Sequence, residues 1–201
     1  MKHLKEFIER FSGRDVFTFR DAEIFLKKNG VSGAYLNLLI HNLLKKGKLK
    51  RISKGHYTFK DDIIVAGKAF APYYYGLHFA LSISGLWQQA SNPVVITAKK
   101  IRTGVREIMG GNVVLRRISP KMAFGVEDRQ IDGYWVKVSG PEKTLIDFAY
   151  FNQKMPEECV QGLLGKISAE KLEALLKKTP EKTRQKIRKM LGRHGRKKLG
   201  D

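Results

Sequence analysis

Amide, imidazole and aromatic side chains recur along one short segment of this chain, and a strongly basic segment follows directly. The sequence from Ser32 to Phe59 predicts a helix that ends at Gly47 and then a hairpin with strands KLKRI and HYTF around a turn, SKG. An asparagine such as Asn37 can pair with the major-groove edge of adenine, and Leu38 can contact a thymine methyl group. Basic side chains on a hairpin suit phosphate oxygens. The pattern therefore predicts a winged helix-turn-helix whose helix reads bases in the major groove and whose hairpin contacts the phosphates of the DNA backbone.

Nine residues of this segment are the predicted DNA contacts. Those on the helix lie off its apolar stripe and include an amide and an imidazole, which suit base edges. Those on the hairpin favour phosphate or the minor groove, and would set affinity and salt dependence rather than specificity. An ordinary solvated helix face is the alternative for the helix residues. The nine are Ser32, Tyr35, Asn37, Leu38, His41, Lys45, Arg51, Lys54 and His56.

Three helices and the hairpin form a predicted DNA-binding domain over residues 1–60. The first helix is expected over residues 2–11, and the second is expected to begin at its cap Thr18 and to end at Asn29. Ser32 is expected to cap the third helix with its hydroxyl. A helical bundle with a basic surface is the alternative. The apolar stripe of the third helix is Leu36, Leu39, Ile40, Leu43 and Leu44.

Positive charge is concentrated at the two ends of the chain. The 201 residues include 39 Lys and Arg against 19 Asp and Glu, which gives a formal net charge of +20. Residues 1–60 and 166–201 each carry a net charge of +9, whereas residues 61–165 carry +2. A polyanion, either nucleic acid or an anionic membrane surface, is therefore the expected partner.

Residues 68–165 predict a second domain that mixes helices and strands, so the expected fold class is α+β. Gly110 and Gly111 are expected to form a hairpin turn, and the acidic run EDRQIDG is expected to be a surface loop. Pro141 opens a helix, because its missing N–H costs little in the first turn. The other expected elements are a buried helix over 76–85 and strands over 93–98, 104–109, 112–118 and 134–138.

Residues 166–201 predict a helical and basic C-terminal extension. A second DNA contact is the favoured hypothesis for it, and the alternatives are an acidic surface on a partner protein or second subunit and a merely solvated helix. Helices are expected over 157–165, 169–178 and 180–191, followed by a basic tail. The residues predicted for the second contact are Arg184, Arg188, Lys189, Arg193, Arg196 and Lys197.

No catalytic or metal-binding pattern stands out, so the chain is predicted not to be an enzyme and to need no cofactor or metal. The five histidines lack the spacing of metal ligands, and Cys159 is the one cysteine. Glu142 and Asp147 lie five residues apart on the predicted helix, so they point to different faces, and the helix dipole alone favours Glu142 near an N-terminus. A surface turn is also favoured over a nuclease site for the carboxylates of EDRQIDG.

One long uncharged segment, Ala69 to Ala98, has the length of a membrane span. Prolines, amides and glycines interrupt it, so a buried helix followed by a buried strand is favoured. The N-terminus carries charges throughout and lacks the apolar core of a signal peptide. With a single cysteine, these features predict a cytoplasmic, reducing setting without a membrane partner.

Several short motifs follow the predicted winged helix in a recognisable order: PYYYGLHFALSISGLWQQ, a VVITA strand and YWVKVSGPEKTLIDF. Within them an aromatic pair, Tyr73 and Tyr74, precedes a helix containing the dipeptide Ala80-Leu81, and a Pro-Glu-Lys-Thr helix start lies at Pro141. In order and spacing these motifs resemble the AbiEi antitoxin family of prokaryotic toxin–antitoxin systems, including its stand-alone regulators. The resemblance covers residues 3–165 and leaves out the variable basic helices at the end.

The resemblance implies a regulator that represses its own operon by binding inverted repeats in the promoter. It also implies that the second domain counters a toxin similar to nucleotidyltransferases, without requiring a stable complex. A stand-alone regulator without a toxin and a protein-binding antitoxin with only secondary DNA contacts are the alternatives. Both a monomer and a homodimer are compatible with binding to repeats.

Overall fold

A computed structural model describes residues 2–196 of the chain; within that part, the side chains of Lys2 and residues 193–196 are not described. The N-terminal unit combines three helices with a small antiparallel sheet of three strands, whose spatial order is β1-β3-β2. Its elements are α1 (Lys2–Ser12), β1 (Phe17–Thr18), α2 (Phe19–Lys28), α3 (Gly33–Lys45), β2 (Lys50–Ser53) and β3 (His56–Thr58).

Aromatic rings of α1 and β1 form the centre of this unit. Phe7, Phe11 and Phe17 are almost completely buried and lie against one another, with ring centroids 4.5 to 5.8 Å apart. The predicted apolar stripe of α3 packs against them, and only Leu44 of that stripe stays partly exposed. Burial of such large apolar surfaces is the main term that stabilises a unit this small.

The predicted caps of α2 and α3 had different outcomes. Thr18 caps α2 as predicted, and it does so in a capping box: its hydroxyl accepts from the backbone N–H of Asp21 at 3.1 Å, and the Asp21 carboxylate accepts from the Thr18 N–H at 2.8 Å. The predicted hydroxyl cap at Ser32 is wrong, because Ser32 stands at the N-cap position with extended backbone but makes no side-chain bond to the helix. A serine at the N-cap position is therefore not sufficient to produce a side-chain cap.

A six-stranded mixed sheet with strand order β6-β7-β5-β4-β9-β8 forms the centre of the second unit. Two 3-10 helices, Ile63–Phe70 and Pro120–Met122, accompany it. The strands are β4 (Tyr73–Tyr75), β5 (Val94–Thr97), β6 (Gly104–Ile108), β7 (Gly111–Arg117), β8 (Val126–Ile131) and β9 (Tyr134–Ser139), and the helices are α4 (Leu77–Ile83), α5 (Pro141–Tyr150), α6 (Glu157–Leu164), α7 (Ala169–Leu176) and α8 (Glu181–Arg196).

Alternate side chains of each strand reach the two faces of this sheet, and the two faces carry different layers. Tyr74 and Ile96 belong to the core shared with α5, α6, α7 and α8, which we call the helix side. Tyr73, Tyr75 and Val95 belong to the core shared with the longer 3-10 helix and with the hairpin β2–β3, which we call the hairpin side. The second unit is therefore a sheet with a layer on each face.

Two hairpin turns differ from the sequence-based expectation. The turn between β6 and β7 is Met109-Gly110, not Gly110-Gly111, and both of its residues have positive φ, 55° and 82°. The run EDRQIDG is not a surface loop: its first residues form the edge strand β8, which pairs with β9 through the turn Asp132-Gly133. Two-residue turns with positive φ match the right-handed twist of paired strands, and an Asp-Gly pair is a strong signal for them.

The C-terminal helices pack into the second unit rather than standing apart from it. Leu172, Leu176 and Ile187 are buried in the same core as Leu145 and Phe148 of α5. The predicted domain boundary at residue 165 has no counterpart in this packing. The predicted helix starting at Pro141 is confirmed, with Pro141 in its first turn.

Replacing Thr18 by Ala removes the hydroxyl that accepts from the Asp21 N–H, while the Thr18 backbone N–H that donates to the Asp21 carboxylate is kept. The loss of the hydroxyl cap is expected to lower the free energy of unfolding by about 1 kcal/mol. Ser32→Ala is the matched control, since Ser32 occupies the same position of α3 without a side-chain cap. It should change the free energy by less than about 0.5 kcal/mol. Urea unfolding followed by circular dichroism measures both, and equal losses would contradict this account of the two caps.

Candidate nucleic-acid interface

One face of α3 is open to solvent along its whole length. Leu38 is 58% exposed, and Asn37, His41 and Lys45 are exposed as well. The amide of Asn37 donates to the Gly33 carbonyl at 3.4 Å, which leaves its own oxygen available. Sequence reasoning left out Ala34 and Asn42, although their helical spacing places them on the same exposed face.

Two of the predicted helix contacts are in different surroundings. Tyr35 is half-buried, because its ring packs against the core of the N-terminal unit and the edge of the His3 ring at 6.2 Å. Leu38 also borders an apolar groove of about 310 Å³ between α1 and α3, with Leu4 and Ile8 on the other side. Ser32 is exposed just before the helix, with its hydroxyl not used for capping.

The hairpin carries the predicted basic side chains at its edge and tip. Arg51 lies exposed on β2, and Lys54 lies exposed in the turn beside Gly55. His56 is half-buried, with its Nδ1 atom 3.0 Å from the Ser53 hydroxyl and 3.2 Å from the Lys54 carbonyl. The imidazole therefore holds the turn together in addition to any contact it makes outside the protein.

The surface around α3 and the hairpin is almost free of negative charge. Residues 24–60 contain nine Lys and Arg and neither Asp nor Glu. Of these nine, Lys27 pairs with Glu23 at 3.2 Å, and Lys50 pairs with Asp61 at 2.8 Å. Within the described part of the chain, Lys45, Arg51 and Lys54 have no acidic partner within ion-pair distance. A polyanion would meet little repulsion there.

The hairpin is attached to the second unit on its inner side. Ile52 of β2 is 5% exposed and lies in the hairpin-side core together with Ile64 and Val65 of the 3-10 helix. An ion pair between Asp15 and Lys68 joins the two units a second time. The outer side of the hairpin, with Arg51, is consequently held in a fixed position relative to the large sheet.

The predicted second contact on α8 is less uniform than its charge indicates. Arg184 is paired with Glu181 and only a third exposed, whereas Arg188 and Lys189 are exposed. Arg193 and Arg196 lie at the end of α8, where side chains are not described, and Lys197 lies outside the described residues. Because α8 packs on the helix side of the sheet, its basic side chains and those of the hairpin are on opposite sides of the second unit.

A buried polar cluster lies where α5 meets the sheet. Lys143 and Asp147 have no exposed side-chain surface and form an ion pair one helical turn apart. The Tyr74 hydroxyl donates to the Asp147 carboxylate at 3.0 Å, and the Lys143 ammonium lies 5.3 Å from the centre of the Tyr74 ring. Burial raises the pKa of Asp147 to about 6, against the opposing effect of Lys143, and burial lowers the pKa of Lys143.

The other carboxylates that could do chemistry have structural partners. Glu142 accepts from the backbone N–H of Ser168 at 2.8 Å and so ties α5 to the start of α7. Asp128 pairs with Lys137 across β8 and β9 at 2.9 Å. Within residues 2–196, no group of three His, Cys, Asp or Glu side chains is placed to hold a metal ion. In that same range, no helix has the length and apolar character needed to cross a bilayer.

One solved structure has a fold similar to that of this chain. No known family model and no curated protein matches the chain. The crystal structure of the RV2827C protein from Mycobacterium tuberculosis is similar to it, with a TM-score of 0.60 and 19% sequence identity, over 88% of this chain and 71% of that chain. At this identity the likeness shows a shared fold and nothing about activity.

The buried pair generates a double-mutant prediction. Lys143→Met and Asp147→Leu each leave an uncompensated charge in the core, so each should lower the free energy of unfolding by about 3–5 kcal/mol. The double variant should lose about 1–3 kcal/mol less than the sum of the two.

The exposed pair Lys137 and Asp128 is the control for this cycle, and alanine at either position should cost less than about 1 kcal/mol. Urea unfolding of all variants gives the comparison. Additive losses for the buried pair would contradict the coupling, and recovery of a folded double variant from unfolded single variants would support it.

Proposed function

We propose that this protein is a sequence-specific DNA-binding transcriptional regulator whose N-terminal unit acts as a winged helix-turn-helix. The observation that carries the proposal is the exposed face of α3, which continues into a basic hairpin with no acidic residue from 24 to 60. The chain order of helix, strand, two helices and hairpin is the order expected of a winged helix domain, and it supports the proposal. In such a domain the second of the two adjacent helices enters the major groove, and that helix is α3 here.

The proposed division of labour follows from the chemistry of the side chains. Asn37 and His41 offer hydrogen-bonding groups to base edges, and Leu38 offers an apolar contact to thymine methyl groups. Lys45, Arg51 and Lys54 contact phosphates, which fix the register of the protein on the duplex and supply most of its affinity. Ser32, Tyr35 and His56 border the same surface and remain predicted contacts.

The similarity of motifs to the AbiEi family adds a more specific proposal. According to this proposal, the protein binds inverted repeats in its own promoter, and its second unit opposes a nucleotidyltransferase-like toxin. This part depends on the sequence resemblance alone. Growth rescue in cells that express a neighbouring nucleotidyltransferase-like gene would support the antitoxin role, and growth arrest despite expression of this chain would contradict it.

Binding of the full chain to its own upstream DNA tests the proposed regulator. We expect the upstream duplex to bind about a thousandfold or more tightly than a scrambled duplex at physiological salt. Fluorescence anisotropy over a salt series measures both affinities. Equal and steeply salt-dependent binding to the two duplexes would contradict sequence-specific regulation and would direct attention to a protein partner.

Single substitutions separate base contacts from phosphate contacts. Asn37→Ala removes one base contact, so it should lower the binding preference for upstream over scrambled DNA by about 1–3 kcal/mol. It should leave the salt dependence of binding unchanged. Lys54→Ala should weaken binding to both duplexes equally and reduce the salt slope by about 0.9.

Lys171→Ala is the control for Lys54→Ala, because it removes the same charge from an exposed position of α7 on the helix side of the sheet. It should leave affinity and slope unchanged. If Lys54→Ala lost affinity for only one of the two duplexes, the assignment of the hairpin to the DNA backbone would be contradicted.

These tests use substitutions in the full chain. Removal of all residues after 165 would take Leu172, Leu176 and Ile187 out of the core of the second unit.

A further inference from the structure

A groove of about 540 Å³ lies between the N-terminal unit and the second unit, beside the hairpin. Arg14, Thr18 and His56 line it from the N-terminal unit, and Lys68 and Lys99 line it from the second unit. His56 lies directly beside the hairpin tip, so the groove begins where the proposed contact between the hairpin and the DNA backbone ends. The groove also continues onto a part of the second unit that the sequence did not connect with DNA.

The acidic group that lines the groove, Asp15, and the neighbouring Asp21 are already satisfied by the protein. Asp15 forms its ion pair with Lys68, and Asp21 accepts two bonds from Thr18 in the capping box. Those bonds, reinforced by the charge of Arg14, hold the pKa of Asp21 below its usual value, so it stays ionised and engaged. Arg14 and Lys99 are exposed and have no acidic partner within ion-pair distance among residues 2–196.

Lys99 lines the far side of the groove and begins a short basic segment, Lys99–Arg102. Its start is fixed, because the Thr97 hydroxyl donates to the carbonyls of Phe70 and Pro72 at 2.8 Å and accepts from the Lys99 N–H at 3.1 Å. Lys100 and Arg102 are exposed. The segment leads into β6, which lies against β2 of the hairpin.

No acidic residue lies between Asp62 and Glu107, so the segment has no negative neighbour in the sequence. Arg106 pairs with Val113, which faces the hairpin side, and Glu107 therefore points to the opposite face of the sheet. The guanidinium of Arg106 donates to the Arg102 carbonyl at 2.7 Å and so stabilises the backbone at the end of the segment. A preorganised row of cations thus continues the positive surface of the hairpin.

We propose that this groove and the segment Lys99–Arg102 bind the phosphate backbone of DNA beyond the hairpin. The second unit then lengthens the DNA contact without reading any base. This inference rests on the proposed DNA-binding function. Because phosphate contacts carry no sequence information, the segment adds affinity and salt dependence but leaves the preference between sequences unchanged.

The test is a triple variant, Lys99→Ala, Lys100→Ala and Arg102→Ala, which leaves Arg106 and its structural bond in place. Each lost phosphate contact lowers the salt slope by about 0.9, so three contacts lower it by about 2.7. Between about 50 and 200 mM salt, the full chain should then lose about 40-fold more affinity than the triple variant does. Hydroxyl-radical footprinting should show lost protection of the backbone on the flank next to the hairpin.

The matched control is Lys166→Ala, Lys171→Ala and Lys177→Ala, which removes the same charge from exposed positions around α7. We expect it to keep the slope and the footprint of the full chain, and circular dichroism checks that both triple variants are folded. Equal slopes and footprints for the two triple variants would overturn the extended contact. Absence of any preference for upstream DNA in the full chain would instead contradict the proposed regulator, so the two failures are distinguishable.

Discussion

Ile52 lies on the inner side of the hairpin and packs into the core of the second unit, and the placement of the positive surface depends on this contact. A hairpin of seven strand residues is too small to hold a conformation by its own contacts. Burial of Ile52 against Ile64 and Val65 gives it a rigid support. The ion pair between Asp15 and Lys68, both of which line the groove, is a second contact between the two units.

The same contact explains why the two basic ends of the chain are not equivalent. The hairpin packs on one face of the six-stranded sheet, while α8 packs on the other through Ile187. Part of the charge on α8 is also used internally: Arg184 pairs with Glu181, and the Lys186 ammonium donates to Asn152 at 3.1 Å beyond the end of α5. A polyanion bound along the hairpin and one bound along α8 would occupy separate sites.

Local signals were the reliable part of what the sequence could predict. The cap at Thr18, the start of α5 at Pro141 and the apolar stripe of α3 all depend on neighbours within a few residues, and all are confirmed. The Asp132-Gly133 turn was also a local signal, but the charges of β8 favoured a loop and concealed an edge strand. Charged residues are common on edge strands because they discourage pairing with other chains.

Contacts between distant residues could not be predicted in the same way. Tyr74 and Asp147 meet across 73 positions of sequence, so nothing in the local pattern of either indicates that a tyrosine hydroxyl satisfies the buried carboxylate. The spacing of Lys143 and Asp147 does predict an ion pair on one helix face. What it cannot predict is complete burial, which depends on where α5 docks on the sheet.

The net charge of +2 for residues 61–165 is an average that conceals how the second unit is polarised. Its acidic residues Glu127 and Asp128 lie on β8, at one edge of the sheet, where they pair with Arg129 and Lys137. Arg102 and Arg106 lie just before and on β6, at the opposite edge, and have no acidic partner within ion-pair distance among the described residues. The hairpin packs beside β6, so the positive edge is the one that continues its surface. Because field strength at a surface depends on nearby charges and is screened within about 10 Å, this local arrangement matters more to a polyanion than the total.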